Sequence, residues 1–220
     1  MANNEPATLP GVASEAIVVA DLVESTAVSN RFGWYAVGRG LLRDLRAMIT
    51  KTATPRGLSC LKSTGDGYLL TFADVNSAEL AAVHAVEWAV DLLEELRLRN
   101  GQVPEQRRIT LRLAVHFGEV DVVEHDREGP HVSFAFRLEG ISRASLAAAL
   151  NPIPPDELPL GNYVLCSEEV SEILVRRSDH RQTMRIGLLK LKGFSGWREV
   201  FLVLPNESRH TGMERVRPVG

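Results

Sequence analysis

The stretch CLKSTGDGYLLTF, Cys60 to Phe72, decides how the rest of this chain folds. Two apolar runs, Leu58–Ser63 and Tyr68–Phe72, flank Gly65-Asp66-Gly67, and glycine at such a tip marks a tight hairpin between two strands. Asp66 serves either the turn or a ligand, since aspartate is common in turns for purely local reasons. Before the hairpin, EAIVVAD (Glu15–Asp21) is a short β-branched run ending in an acid, the pattern of a buried strand. Between the two, Ser25 or Thr26 is placed to cap a helix running to about Lys51. Its apolar positions Val28, Phe32, Tyr35, Leu41, Leu42, Leu45 and Ile49 recur at three- and four-residue steps.

After the hairpin, DVNSAELAAVHAVEWAVDLLEELRLRN opens with capping residues and predicts an amphipathic helix to about Arg99. RRITLRLAVHFGEVDVVEH alternates from Ile109 to Val115 and continues past Gly118 as a second strand. The resulting β-α-β-β-α-β order is that of a ferredoxin-like core, so the fold class is α+β, one domain over residues 15–205. Beyond it, VSFAFRLEGISRASLAAAL reads as one helix. Residues 151–160 form a proline-rich surface loop or flap. NYVLCS, TMRIGLLKLKG and WREVFLVLP are strands, and EEVSEILVRR a short helix. Residues 1–14 and 206–220 are polar and expected to be flexible.

Composition narrows the function. At 220 residues with 45% hydrophobic and 24% charged side chains, the chain is an ordinary globular protein able to bury a core. A net charge of −3 lacks the basic footprint of a nucleic-acid binder. No apolar run reaches the roughly 18 residues of a membrane span, and the N-terminus lacks the pattern of a secretory signal. Cys60 and Cys166 form neither a disulfide framework nor a zinc pattern; reduced, buried thiols and a cytoplasmic location are expected.

Asp21 ends the first strand and Asp66 sits at the hairpin tip. In a β-α-β-β arrangement their strands can lie side by side, bringing both carboxylates to one end of the sheet. Two such acids repel unless a proton or cation lies between them. Mg²⁺ suits the pair because it takes one or two carboxylates and fills its other positions with water and phosphate oxygens. From spacing alone, an exposed turn aspartate plus a strand-end cap is the commoner outcome.

Five stretches in order, VVADLVEST, LKSTGDGYLLTF, LRLAVHFGEV, GPHVSFAFRLEG and LLKLKGFSGWREVFLV, resemble the class III nucleotide cyclase domain of adenylyl and guanylyl cyclases. The resemblance runs from about Ala16 to Pro205. It implies an enzyme, a phosphorus–oxygen lyase converting a nucleoside triphosphate to its 3′,5′-cyclic monophosphate and pyrophosphate. Two divalent metal ions, Mg²⁺ or Mn²⁺, would be held by Asp21 and Asp66. The backbone of LVEST would meet the triphosphate, with Glu24 standing where many relatives carry glycine. Arg137 would stabilise the transition state. Ser133 stands where the family has an asparagine, and a hydroxyl offers a shorter reach and one donor.

Lys62 and Asp126 match the base-recognising pair, and Lys192 lies near a phosphate-contacting lysine. Such a pair resembles that of adenylyl cyclases and makes ATP the first choice of substrate. One donor and one acceptor can satisfy any of the four bases, however. A pyrimidine cyclase (uridylate or cytidylate) of bacterial anti-phage signalling is the alternative, since a free-standing domain without sensor or membrane segment is expected here. A non-catalytic nucleotide-sensing module is the alternative of another class, favoured by Ser133 and Glu24. His116 and His131 are expected to be packed or surface histidines. Family sites form between two domains, so a homodimer with two shared sites is implied, with no nucleic-acid or membrane partner.

Overall fold

The computed structural model describes residues 11–23, 33, 39–177 and 181–205. Its central strand is β1 (Gly11–Leu22), in which every residue from Glu15 to Ala20 is buried. Burial on both faces needs a strand paired on both edges and covered on both sides. β1 pairs antiparallel with β3 (Gly67–Phe72) on one edge and with β4 (Leu111–Val123) on the other. β2 (Leu58–Ser63) closes the hairpin with β3. The three-residue β5 (Asp126–Glu128) folds back on the end of β4. β6 (Tyr163–Ser167), β7 (Thr183–Leu189) and β8 (Arg198–Val203) complete a sheet of order β2-β3-β1-β4-β6-β8-β7, in which only the β4–β6 pairing is parallel.

One face of the sheet is covered by α1 (Arg39–Ala53) and α2 (Ala78–Asn100). α1 buries Leu41, Leu42, Leu45, Ile49 and Ala53, a stripe at helical spacing. α2 buries Ala81, Ala82, Ala85 and Ala89 together with Val83, Val86, Leu92 and Leu96, with Trp88 as its bulky anchor. That indole is fully buried, stacks obliquely on Phe72 at 5.4 Å and donates to Thr52 Oγ1 at 2.9 Å, which satisfies its one polar atom. The opposite face carries α3 (Pro130–Glu139), whose Val132 and Ala135 meet Ile17 and Val19 of β1, Leu69 of β3 and Val120 of β4. A third cluster gathers Phe134, Leu138, Tyr163, Leu165, Ile186 and Val200 around β6, β7 and β8. α4 (Arg143–Leu146) and α5 (Glu168–Arg176) finish the described helices. Among the described residues, no helix is long and apolar enough to cross a membrane.

The α+β, ferredoxin-like class is as expected, with three local corrections. Leu111–Val123 is one continuous strand, so Gly118 does not divide it. A Cβ at Gly118 would fall 2.2 Å from the His131 ring; glycine is there to seat that ring. The stretch expected as one helix from Val132 breaks after Glu139 and restarts at Arg143, where Ser142 and Ser145 form a reciprocal cap. Residues 126–128, given no element from the sequence pattern, are a strand. The 151–160 loop is mostly exposed and is tied to β7: Leu150 exchanges hydrogen bonds with Leu188, Ile153 donates to Ile186, and Leu158 is fully buried. The proposed caps Ser25 and Thr26, together with Glu24, Val28, Phe32 and Tyr35, lie outside the described residues.

Candidate active site

The hairpin turn fixes the first part of the site. Gly65 takes the left-handed backbone at φ 106°, and Thr64 N–H closes the turn on Gly67 C=O at 3.0 Å. Leu22 N–H then donates to Asp66 C=O at 3.3 Å, tying the turn to the end of β1. Directly across that junction Asp21 pairs with Gly67, where a Cβ would come 2.2 Å from Ala20 O. Only glycine allows this close approach. The sheet therefore carries Asp21 and Asp66 to the same edge, as the expected side-by-side strands require.

Asp21 shares strand parity with Ile17 and Val19, so it projects on the α3 side. Burial pushes its carboxyl up; a hydrogen bond from Arg112 opposes this, and the charge of Asp66 raises it further. Arg112, opposite Asp21 on β4, places Nη2 2.8 Å from Asp21 Oδ2. Its Nε lies 2.9 Å from Glu139 Oε1, near enough for an ion pair, yet neither atom has an aligned hydrogen-bond partner. Burial, with Asp21 next in weight, lifts the Glu139 carboxyl to about 7. Asp21 and Glu139 thus share one guanidinium, with Asp66 beside Asp21. Arg112 and Glu139 were not among the expected site residues. The signal for Arg112 was present, since an antiparallel β1–β4 ladder puts an arginine opposite the strand-end acid.

Among the described residues, no group of three or more His, Cys, Asp or Glu side chains is arranged to hold a metal. The donor set still fits a hard divalent ion. Two adjacent carboxylates, one with raised proton affinity, offer oxygen ligands in a locally acidic site, and water or phosphate oxygens would complete the shell.

The base-recognising candidates also meet. Lys62 lies across from Leu69, which places it on the α3 side of the sheet, and its Nζ forms an ion pair with Asp126 Oδ2. Each partner holds the other charged: the hydrogen bond raises the lysine and lowers the aspartate.

Ser133 and Arg137 sit one turn apart on the exposed side of α3. Arg137 and Lys192 line a pocket of about 420 Å³ with Phe136, Ile141, Ser145 and Lys190 among its walls. Lys190 Nζ rests 4.9 Å over the Trp197 ring. Arg137 and Glu139, two positions apart, differ by about 200° around a helix. Because Glu139 turns to Arg112 beside Asp21, Arg137 turns elsewhere, and its pocket includes neither Asp21 nor Asp66.

His116 is buried, as expected of a packed histidine. It contacts Ser167 Oγ and His131 Nδ1, each at 2.8 Å, and burial lowers it to about 4, so it is neutral near pH 7. Cys60 and Cys166 are free, buried thiols, and burial raises both.

The architecture that carries these groups is the class III nucleotide cyclase fold. The guanylyl cyclase Cya2 superposes with a TM-score of 0.70 at 18% identity, covering 93% of this chain and 98% of that one. The adenylyl cyclase CyaB from P. aeruginosa superposes with a TM-score of 0.68 at 18% identity, covering 90% and 97%. In sequence, "Putative adenylate cyclase 3" of Rhizobium meliloti (strain 1021) is 37% identical over 81 residues. That match spans 37% of this chain and only 13% of the relative's length. No family model matches the chain.

Proposed function

We propose that this chain is a nucleotide cyclase that converts a nucleoside triphosphate, ATP first, to the 3′,5′-cyclic monophosphate and pyrophosphate at sites shared between two copies. The observation that carries the reading is the convergence of Asp21 and Asp66 at one sheet edge, in a fold shared with adenylyl and guanylyl cyclases.

Divalent ions held by Asp21 and Asp66 would lower the pKa of the ribose 3′-hydroxyl and neutralise charge on the leaving pyrophosphate. The remaining roles fall to side chains. Lys62 donates and Asp126 accepts, so the pair grips the base edge and orients the ribose. Arg112 adds positive charge beside Asp21, where the triphosphate would lie. Arg137, with Lys192 near it, meets the charge that builds as the 3′-oxygen bonds to the α-phosphorus and the bond to the bridging oxygen breaks. Ser133, one turn before Arg137, offers a single hydroxyl toward the ribose.

Sharing between copies is supported by where these groups point. Arg137 turns away from the Asp21 of its own chain, so a second chain is needed to bring the two together. A two-fold dimer does this twice.

The test is incubation of the purified protein with ATP, GTP, CTP and UTP, each with Mg²⁺ or Mn²⁺, and product separation by chromatography. Cyclic AMP exceeding the other products is the expected result, with activity lost on chelation and restored by added metal. A cyclic pyrimidine product would keep the enzyme and reassign the base. Nucleotide-dependent melting shifts without any cyclic product would leave a binding module instead.

A further inference from the structure

Among the described buried side chains, one ion pair lies away from the acids of the metal site. Glu15 on β1 is 3% exposed and Arg127 on β5 is 8% exposed. The guanidinium grips the carboxylate with both arms, Nε to Oε2 at 2.7 Å and Nη2 to Oε1 at 3.0 Å. A buried pair of this kind stabilises a fold little better than an apolar pair would, so its presence asks for a positional reason.

The reason lies one residue away. Arg127 Nη1 donates to the carbonyl of Asp126 at 3.0 Å, and Arg127 N–H donates to Asp126 Oδ1 at 2.8 Å. The guanidinium therefore holds the peptide of Asp126, while the backbone N–H of Arg127 holds its carboxylate. One carboxylate oxygen is spent on the backbone, and the other, Oδ2, is left facing Lys62. β5 is only three residues long and pairs with β4 at three positions, too little to fix a side chain by itself.

We infer that the Glu15–Arg127 pair is a positioning device that holds Asp126 Oδ2 at a set spacing from Lys62 and thereby sets which nucleobase the site accepts. This rests on Lys62 and Asp126 being the base-contacting pair. A base edge entering between them meets one donor and one acceptor in fixed order and separation. An Asp126 peptide free to tilt would shift its carboxylate relative to Lys62 and tolerate more than one edge.

The experiment compares the wild-type chain with Glu15→Leu/Arg127→Met, Arg127→Lys and Lys62→Met. Dissociation constants and kcat/KM are measured for ATP, GTP, CTP and UTP, with melting temperature as the folding control. The double variant removes the pair without stranding a charge, and the lysine variant keeps the charge but loses the two-armed grip. In the double variant, discrimination between the preferred and the next nucleotide should fall by about tenfold, with KM rising more than kcat falls. Arg127→Lys should lie between it and wild type.

A folded double variant with unchanged discrimination overturns the inference. If the double variant does not fold, Arg127→Lys decides: an unchanged ratio overturns it and a reduced ratio supports it. Lys62→Met separates the two levels. If it leaves binding selectivity untouched, the base-contacting reading falls and the inference with it. If it shifts selectivity while the pair variants do not, only the inference falls.

Discussion

Gly65, next to Asp66, supplies the left-handed residue of the β2–β3 turn. What sets Asp66 apart is its place beside Asp21, where its charge helps to push the Asp21 carboxyl up. Asp66→Asn should therefore keep the turn and lower stability by no more than about 0.5 kcal/mol, within the range of surface substitutions. Turnover in the same variant should fall by about a hundredfold or more, comparable to losing one transition-state contact. Melting curves and a cyclase assay on one preparation check both halves.

His116 gives a test by pH. Its folded value lies near 4, below the unfolded value of 6.5, so the unfolded chain binds the extra proton between those limits. The stability it confers is complete above about pH 6.5 and is lost as pH falls toward 4. His131, Ser167 and Glu169 surround its ring, and none of them removes the cost of burying an imidazolium. In His116→Gln the melting temperature should fall less steeply between pH 6.5 and 4.5 than in wild type. Parallel curves would contradict this origin.

β4 and α3 are coupled through one missing side chain. Gly118 leaves the space that the His131 ring fills, and His131 stands at the start of the helix bearing Ser133 and Arg137. Gly118→Ala should cost about 1–3 kcal/mol through overpacking. Adding His131→Ala to it should recover part of that loss, since the two sites share one space. A double variant no more stable than the sum of the singles would rule the coupling out.

The same glycine shows what local pattern could reveal. β1, the β2–β3 hairpin and α2 were legible because their signals are short-range: alternation, a glycine-bounded turn, helical spacing. Gly118 looks like a strand break for the same reason, and only its distant partner His131 explains it. The Leu-Ala run after Gly140 continues a helical pattern, which hides the restart at Ser142. β5 is too short to carry a pattern. The resemblance to nucleotide cyclases put Lys62 and Asp126 together, and the structure places them in contact. The Arg112–Glu139 link and the grip of Arg127 on Glu15 join residues far apart in the chain, beyond the reach of periodicity.

Helices α1 and α2 cover one side of the sheet, while α3 shares the other with Asp21 and with Lys62, the partner of Asp126. The chemical groups thus collect on the α3 side, yet one chain turns Arg137 away from its own Asp21. Two copies related by a two-fold axis, joined across that side, would supply each site with the acids of one chain and the Arg137 of the other. Asp21→Ala and Arg137→Ala are each expected to be inactive as pure dimers. Random exchange of equal amounts makes half the dimers mixed, and each mixed dimer holds one intact site of two, so roughly a quarter of wild-type activity should return. The direct measurement is cyclic nucleotide formation by the two inactive proteins before and after mixing, with dimer exchange followed by size-exclusion chromatography of differently tagged copies. Recovery near that level is the expected result; exchange of subunits with no recovery of activity would contradict a site built from two chains.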